Sequence, residues 1–108
     1  MTATDRLSLL QYEHLGLDDA AAAEFQVALQ ELRKLALEDR YEHPAALHLG
    51  DIADSETRQE LSETKGWGVG FLQGLISAKA FPDDKDKVEA LRRVFQAAAE
   101  RTRQRLAK

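Results

Sequence analysis

The 108-residue sequence contains no cysteine, two prolines and no stretch of about twenty uninterrupted apolar residues. Without cysteine, disulfides and thiolate metal sites are excluded, and nothing favours an oxidising compartment. Without a long apolar run, no helix is expected to span a membrane. The first residues also lack a basic segment followed by an apolar one, so no signal peptide is expected. These absences predict a soluble, cytoplasmic protein with no membrane partner.

Charged residues make up 31% of the sequence, but the two signs are unevenly distributed. Residues 1–64 carry fourteen Asp or Glu against five Lys or Arg, whereas from Arg92 onward six basic residues face Glu100 alone. Such polarity can steer a partner of either sign, or let the acidic end of one copy meet the basic end of another. Two solvated helical faces that happen to differ in charge would give the same pattern.

Apolar residues recur every three or four positions along most of the chain, which is typical of amphipathic helices. No β-hairpin signal interrupts this pattern, and 108 residues fit one domain. We therefore predict an all-α fold, a compact bundle of about four helices in a single domain over residues 1–108. The predicted helices span approximately residues 4–15, 18–42, 54–81 and 84–107. Because Pro44 disfavours helical geometry at the residue before it, a short turn is predicted around residues 44–49.

Two predicted helices carry clear apolar stripes. In the helix at residues 18–42 the stripe passes through Phe25 and Leu29 and continues to Leu35 and Ala36. In the final helix, the stripe consists of Val88, Leu91, Phe95, Ala98, Thr102 and Leu106. Both stripes predict faces that pack against the core.

Four of the six glycines lie within residues 66–74, where Trp, Val, Phe and Leu separate them. A phosphate-binding loop would need these glycines between a strand and a helix, but the residues before them have a helical pattern. Their spacing is G-x-G-x-G, which matches neither the dinucleotide nor the Walker motif. The segment is also flanked by charges and too short to cross a membrane. A helix is therefore the preferred interpretation.

Gly66, Gly70 and Gly74 are spaced by four and would form one inclined ridge of small residues on that helix, with Trp67 and Phe71 in the row beside it. Each glycine inside a helix costs about 1 kcal/mol relative to alanine, so close packing is expected to offset the loss. Three explanations stay open at this point. The ridge packs within the chain, it packs against another chain or copy, or the helix is broken and starts near Val69. We predict these five residues as the partner-binding site.

The same region resembles a pattern in small helical accessory proteins of tailed phages and prophages. The matching residues are Glu56-Thr57-Arg58, Leu61, Lys65-Gly66, Gly70-Phe71-Leu72, Gly74-Leu75 and Phe81-Pro82. The resemblance covers about 25 residues of common types, and Trp67 and the additional glycines depart from the pattern. It implies a non-enzymatic protein that docks on a larger assembly.

His43, His48 and Asp51 offer nitrogen and oxygen atoms of the kind that bind zinc. A spacing of five, however, sets the two histidines about 140° apart on a helix. The preferred interpretation is a polar connection with surface or capping histidines, so no metal or cofactor is predicted. No nucleophile motif stands out either. We therefore expect a non-enzyme, without catalytic residues or a small-molecule substrate.

The basic final helix suggests an alternative function, nucleic-acid binding. The candidate phosphate contacts are Arg92, Arg93, Arg101, Arg103 and Arg105. The acidic net charge of -4 and the lack of an aromatic residue between these arginines argue against it. The leading prediction is a helical protein–protein interaction module. Such a module would act as an oligomer or as an accessory subunit docking through the glycine-ridged helix.

Overall fold

A computed structural model describes residues 15–82, 84 and 86–107. This part of the chain contains four α-helices and no strand, which confirms the predicted all-α bundle of about four helices. The helices are α1 (Asp19–Arg33), α2 (Asp39–Asp54), α3 (Arg58–Ser77) and α4 (Asp86–Leu106). The predicted helix at residues 4–15 lies outside the described residues, except for Leu15. None of the four described helices is long and apolar enough to cross a membrane.

The four helices pack around one apolar core. Helices α1 and α3 each contact both α2 and α4, and α2 and α4 also contact each other. The largest fully buried side chains are Leu32 of α1, Leu49 and Ile52 of α2, and Leu91 and Thr102 of α4. The radius of gyration is 13.5 Å, close to the value of about 13 Å expected for a compact chain of this length. One side of α3 therefore faces the core and the other faces away from the bundle.

The prediction of one helix over residues 18–42 was wrong, because the chain turns between Arg33 and Asp39. Ala36 adopts a left-handed conformation with φ of 53°, and Leu37 beyond it is buried. The Lys87 ammonium donates a hydrogen bond to the carbonyl of Leu35 at 3.2 Å, which ties this turn to α4. Burial of Leu37 in the core thus overrides a local sequence that favours a continuing helix.

The predicted turn at residues 44–49 was also wrong, since these residues lie inside α2. Helix α2 begins at Asp39, so Pro44 falls in its second turn. The single backbone hydrogen bond that Pro44 cannot donate would go to the carbonyl of Arg40, an exposed residue within reach of water. Ala45, Ala46 and Leu49 are fully buried, and their packing keeps the segment helical.

Helix α3 is shorter than the predicted span of 54–81 but continuous, so the alternative of a helix starting near Val69 was wrong. Thr57 caps its start by accepting a hydrogen bond from the N–H of Glu60 at 3.1 Å. Its end has the Schellman arrangement, in which the N–H of Ala80 bonds to the carbonyl of Leu75 at 3.1 Å. The residue after the C-cap is Lys79, with φ of 53°, where glycine is the usual choice.

Helix α4 agrees with its prediction closely. It begins at Asp86 and ends at Leu106, against a predicted span of 84–107. Four residues of the predicted stripe are buried, while Val88 and Leu106 lie at its partly exposed ends. The buried members are Leu91, Phe95, Ala98 and Thr102.

Candidate functional site

The candidate site is the side of α3 that points away from the bundle, which we call the outer face. It consists of Gly66, Trp67, Val69, Gly70, Gln73, Gly74, Ile76 and Ser77, all of them exposed. The opposite side, the inner face, consists of the buried residues Leu61, Thr64, Gly68, Leu72 and Leu75. The inner residues follow one another at spacings of three and four, as expected for a helix with one buried stripe.

Among the glycines of α3, Gly68 makes a close contact with another helix of the described chain. A Cβ added at this position would lie 3.0 Å and 3.1 Å from two ring carbons of Phe95 on α4. Real Cβ atoms rarely come that near to a neighbour, so glycine permits the aromatic ring to rest on the backbone of α3. The approach of α3 to α4 therefore depends on Gly68.

The three glycines of the predicted ridge face away from this contact. A Cβ added at Gly66, Gly70 or Gly74 would meet no atom within 4 Å in the described chain. The alternative in which the ridge packs within the chain thus finds no support among the described residues at any of the three positions. Their loss of helix propensity, about 1 kcal/mol each, is not offset by any contact among the described residues.

Large apolar side chains accompany the glycines on the outer face. Trp67 is 57% exposed, Val69 is 48% exposed and Ile76 is 46% exposed. The segment from Gly66 to Ala78 also carries no charged side chain. The outer face is thus an uncharged strip about 20 Å long with an aromatic residue beside a row of glycines.

Phe71, the fifth predicted contact residue, lies at the edge between the two faces. It is partly buried, with its ring centroid 5.2 Å from that of His48 on α2 and 6.3 Å from that of Phe95. Phe71 therefore anchors α3 to the bundle and presents only part of its surface beside the outer face.

Two cavities lie beside the outer face. One, of about 200 Å³, is lined by Ile52, Leu72 and Phe95 together with Val69. The other, of about 480 Å³, is lined by the turn after α3 together with Ile76. The lining is mostly apolar in both cavities. Val69 and Ile76 thus belong both to the outer face and to the lining of a cavity.

The five candidate arginines of α4 lie beside glutamates. Arg92 and Arg93 approach Glu89 at 3.0 Å and 4.0 Å, and Arg103 pairs with Glu100 at 2.9 Å. All three pairs lie on the exposed side of α4, where ion pairs contribute little to stability. Hydrogen bonds from Arg103 lower the pKa of the Glu100 carboxyl.

The other two arginines connect helices. Arg101 pairs with Glu31 of α1. Arg105 donates to Glu24 of α1 at 2.6 Å and to the carbonyl of Ala53, near the end of α2, at 2.9 Å. The remaining oxygen of the Glu24 carboxylate accepts a hydrogen bond from the buried hydroxyl of Thr102 at 2.9 Å. Arg101 and Arg105 thus link α4 to α1, and Arg105 also links α4 to α2. The sequence pattern did not predict these contacts.

The two histidines considered as metal ligands lie in different surroundings. His43 is exposed, whereas His48 packs against Phe71 and Phe95. Burial lowers the pKa of the His48 imidazole, and the nearby Asp51 carboxylate opposes this effect. Among the described residues, no group of three His, Asp or Glu side chains is placed to hold a metal ion.

Gly68 is the residue beside the candidate site whose structural role sequence reasoning overlooked. The sequence contains a usable signal, since Gly68 lies seven residues after Leu61 and seven before Leu75, on the stripe that turns inward. Small polar or absent side chains at Thr64 and Gly68 concealed this stripe from a search for large apolar residues.

Comparisons with protein-family models, with curated proteins and with solved structures found no match to this chain.

Proposed function

We propose that this chain is a non-enzymatic helical module of the cytoplasm that docks on a protein partner through the outer face of α3. The observation that carries the proposal is the position of Gly66, Gly70 and Gly74, where an added Cβ would meet no described residue, beside an exposed Trp67. The resemblance to phage accessory proteins supports the same kind of role, that of a small subunit joining a larger assembly.

The energetics of α3 support docking over a purely structural role. Three exposed helical glycines destabilise the folded chain by about 3 kcal/mol relative to alanine, a sizeable fraction of the stability of a small domain. Glycine ridges let the backbones of two helices approach closely, and exposed tryptophans are enriched where proteins bind each other. A partner helix lying across the glycines would cover Trp67 and recover part of that energy.

The double variant Gly70→Leu/Gly74→Leu tests this function. Because neither position has a neighbour in the described chain and leucine has the higher helix propensity, the variant should fold with a melting temperature no lower than that of the wild-type chain. The new side chains would fill the ridge, so partner binding should be lost. The measurement is affinity capture from the native host with mass spectrometry, comparing the wild-type chain with the double variant.

Ala22 and Ala23 of α1 offer a matched control, since both are exposed small residues on a different helix. Ala22→Leu/Ala23→Leu adds the same apolar groups but should leave the captured proteins unchanged. If the same proteins are recovered with the wild-type chain and with the α3 variant, docking through the outer face is wrong.

Nucleic-acid binding remains the alternative function. The ion pairs that the arginines of α4 make with glutamates argue against it. Arg101 and Arg105 are held by Glu31 and Glu24, so their charge is largely neutralised within the bundle. Titration with DNA and RNA at two salt concentrations separates the functions, because phosphate contacts make affinity fall steeply with salt. We expect no binding at low salt.

A further inference from the structure

We propose that the partner on the outer face of α3 is a second copy of this chain, with the two α3 helices crossing antiparallel near Gly70. This inference rests on the proposed function, because it names the occupant of the same surface. It is carried by the charge and the shape of the outer face.

The charge pattern restricts what can cover this face. Residues 66–78 contain no charged side chain, while Lys65 and Lys79 bound the segment on either side. A charged group on the covering surface would lose its hydration there without gaining an opposite charge. The covering surface must therefore also be uncharged where it lies on the glycines. In a crossing at Gly70, residues 66–74 of the two copies lie opposite one another, and none of these residues is charged.

The shape of the face is complementary to itself. A two-fold interface requires that each projection on one copy finds a matching depression on the same surface of the other. Trp67 is the projection, and the open backbone at Gly70 and Gly74 is the depression. When two helices cross antiparallel at Gly70, residue 67 of each copy lies near residue 73 or 74 of the other. Each tryptophan ring would then rest on the partner's glycines.

The ridge itself is symmetric about the same point. Gly66 and Gly74 lie four residues on either side of Gly70, and exposed Ser62 and Ala78 lie eight residues away. An antiparallel crossing places small residues opposite small residues along the whole ridge, which allows close contact between backbones. A parallel crossing would instead set the two Trp67 side chains against each other.

A single crossing of two helices gives a small interface. We expect it to bury on the order of 1,000 Å² in total, near the lower limit for specific complexes. The dimer should therefore be reversible and depend on concentration. The two cavities lined by Val69 and by Ile76 would border this contact.

The lack of native cysteine permits a direct test of the crossing point. Gly70→Cys introduces one thiol at a position where a Cβ has no neighbour within the described chain, so the variant should fold. A disulfide needs the two Cα atoms within about 7 Å, a condition that residues on the two-fold axis of a close crossing meet. We expect a covalent dimer on oxidation. Ala23→Cys, on the exposed side of α1, is the control and should remain monomeric.

Sedimentation equilibrium of the wild-type chain gives the independent measurement. The apparent mass should rise from 12.1 kDa towards twice that value between about 10 μM and about 1 mM, and Gly70→Leu/Gly74→Leu should abolish the rise. A wild-type chain that stays monomeric throughout, with no more crosslinking at Gly70→Cys than at Ala23→Cys, overturns the proposal. Capture of another protein that depends on Gly70 and Gly74 would then leave the docking function intact. If that capture is also absent, the docking function is wrong as well.

Discussion

The two sides of α3 use glycine in opposite ways. On the inner face, Gly68 lies directly under the ring of Phe95, where a Cβ would come within 3.0 Å of a ring carbon. On the outer face, Gly66, Gly70 and Gly74 lie beside no other residue of the described chain. The same residue type, a few positions apart, is explained by packing in one case and is left without a structural reason in the other.

This difference separates a structural glycine from a candidate functional one. At Gly68 the loss of helix propensity is offset by contact with an aromatic side chain that is 6% exposed. At the outer positions no such contact exists in the described chain, and the neighbouring apolar side chains are exposed as well. A contact with a partner is the explanation that we propose for the outer glycines.

The largest expected effect comes from filling the inner position. Gly68→Leu should destabilise the fold by about 3 kcal/mol, because the new side chain must displace Phe95 from a packed core. Gly70→Leu adds the same groups to the same helix and should change stability by less than about 1 kcal/mol. Urea denaturation of both variants measures the difference. Equal stability of the two variants would mean that α3 does not turn Gly68 towards α4.

A smaller effect of opposite sign is expected on the outer face. Gly70→Ala should stabilise the chain by about 1 kcal/mol, because alanine has the higher helix propensity and its Cβ has room. The measurement is urea denaturation at protein concentrations too low for association. Docking should weaken in the same variant, since the added methyl group keeps a partner helix further away. A gain in stability with unchanged docking would show that the glycines serve another purpose.

Local patterns explain what could be predicted about the fold. The apolar stripe of α4 could be predicted because Leu91, Phe95 and Ala98 recur at helical spacing, a local pattern that does not depend on the rest of the fold. The turn between α1 and α2 was missed because residues 34–38 contain neither glycine nor proline. Ala36 takes a left-handed conformation there, and Leu37 directly after it packs into the core. Such a turn depends on tertiary packing, which a local pattern does not contain.

The candidate site was predicted in part for the same reason. Spacing by four placed Gly66, Gly70 and Gly74 on one side of a helix, and the structure agrees. Spacing alone does not say whether that side faces the core, since this depends on where α2 and α4 pack. The deciding residue was Gly68, whose missing side chain gives no apolar signal in the sequence.

The smallest expected effect concerns His48, which packs where the inner face meets α2. Burial lowers the pKa of its imidazole below the ordinary value of 6.5. Below that value the unfolded chain binds a proton at His48 more readily than the folded chain does, so the free energy of unfolding should fall as the pH falls. Urea denaturation between about pH 7.5 and pH 5.5 should show this slope in the wild-type chain.

A variant of His48 separates this contribution from other titrations. His48→Gln should flatten the slope, because the residue that titrates between Phe71 and Phe95 is gone. The same slope in His48→Gln and in the wild-type chain would contradict the prediction. It would mean that the Asp51 carboxylate fully offsets the effect of burial on the pKa of His48.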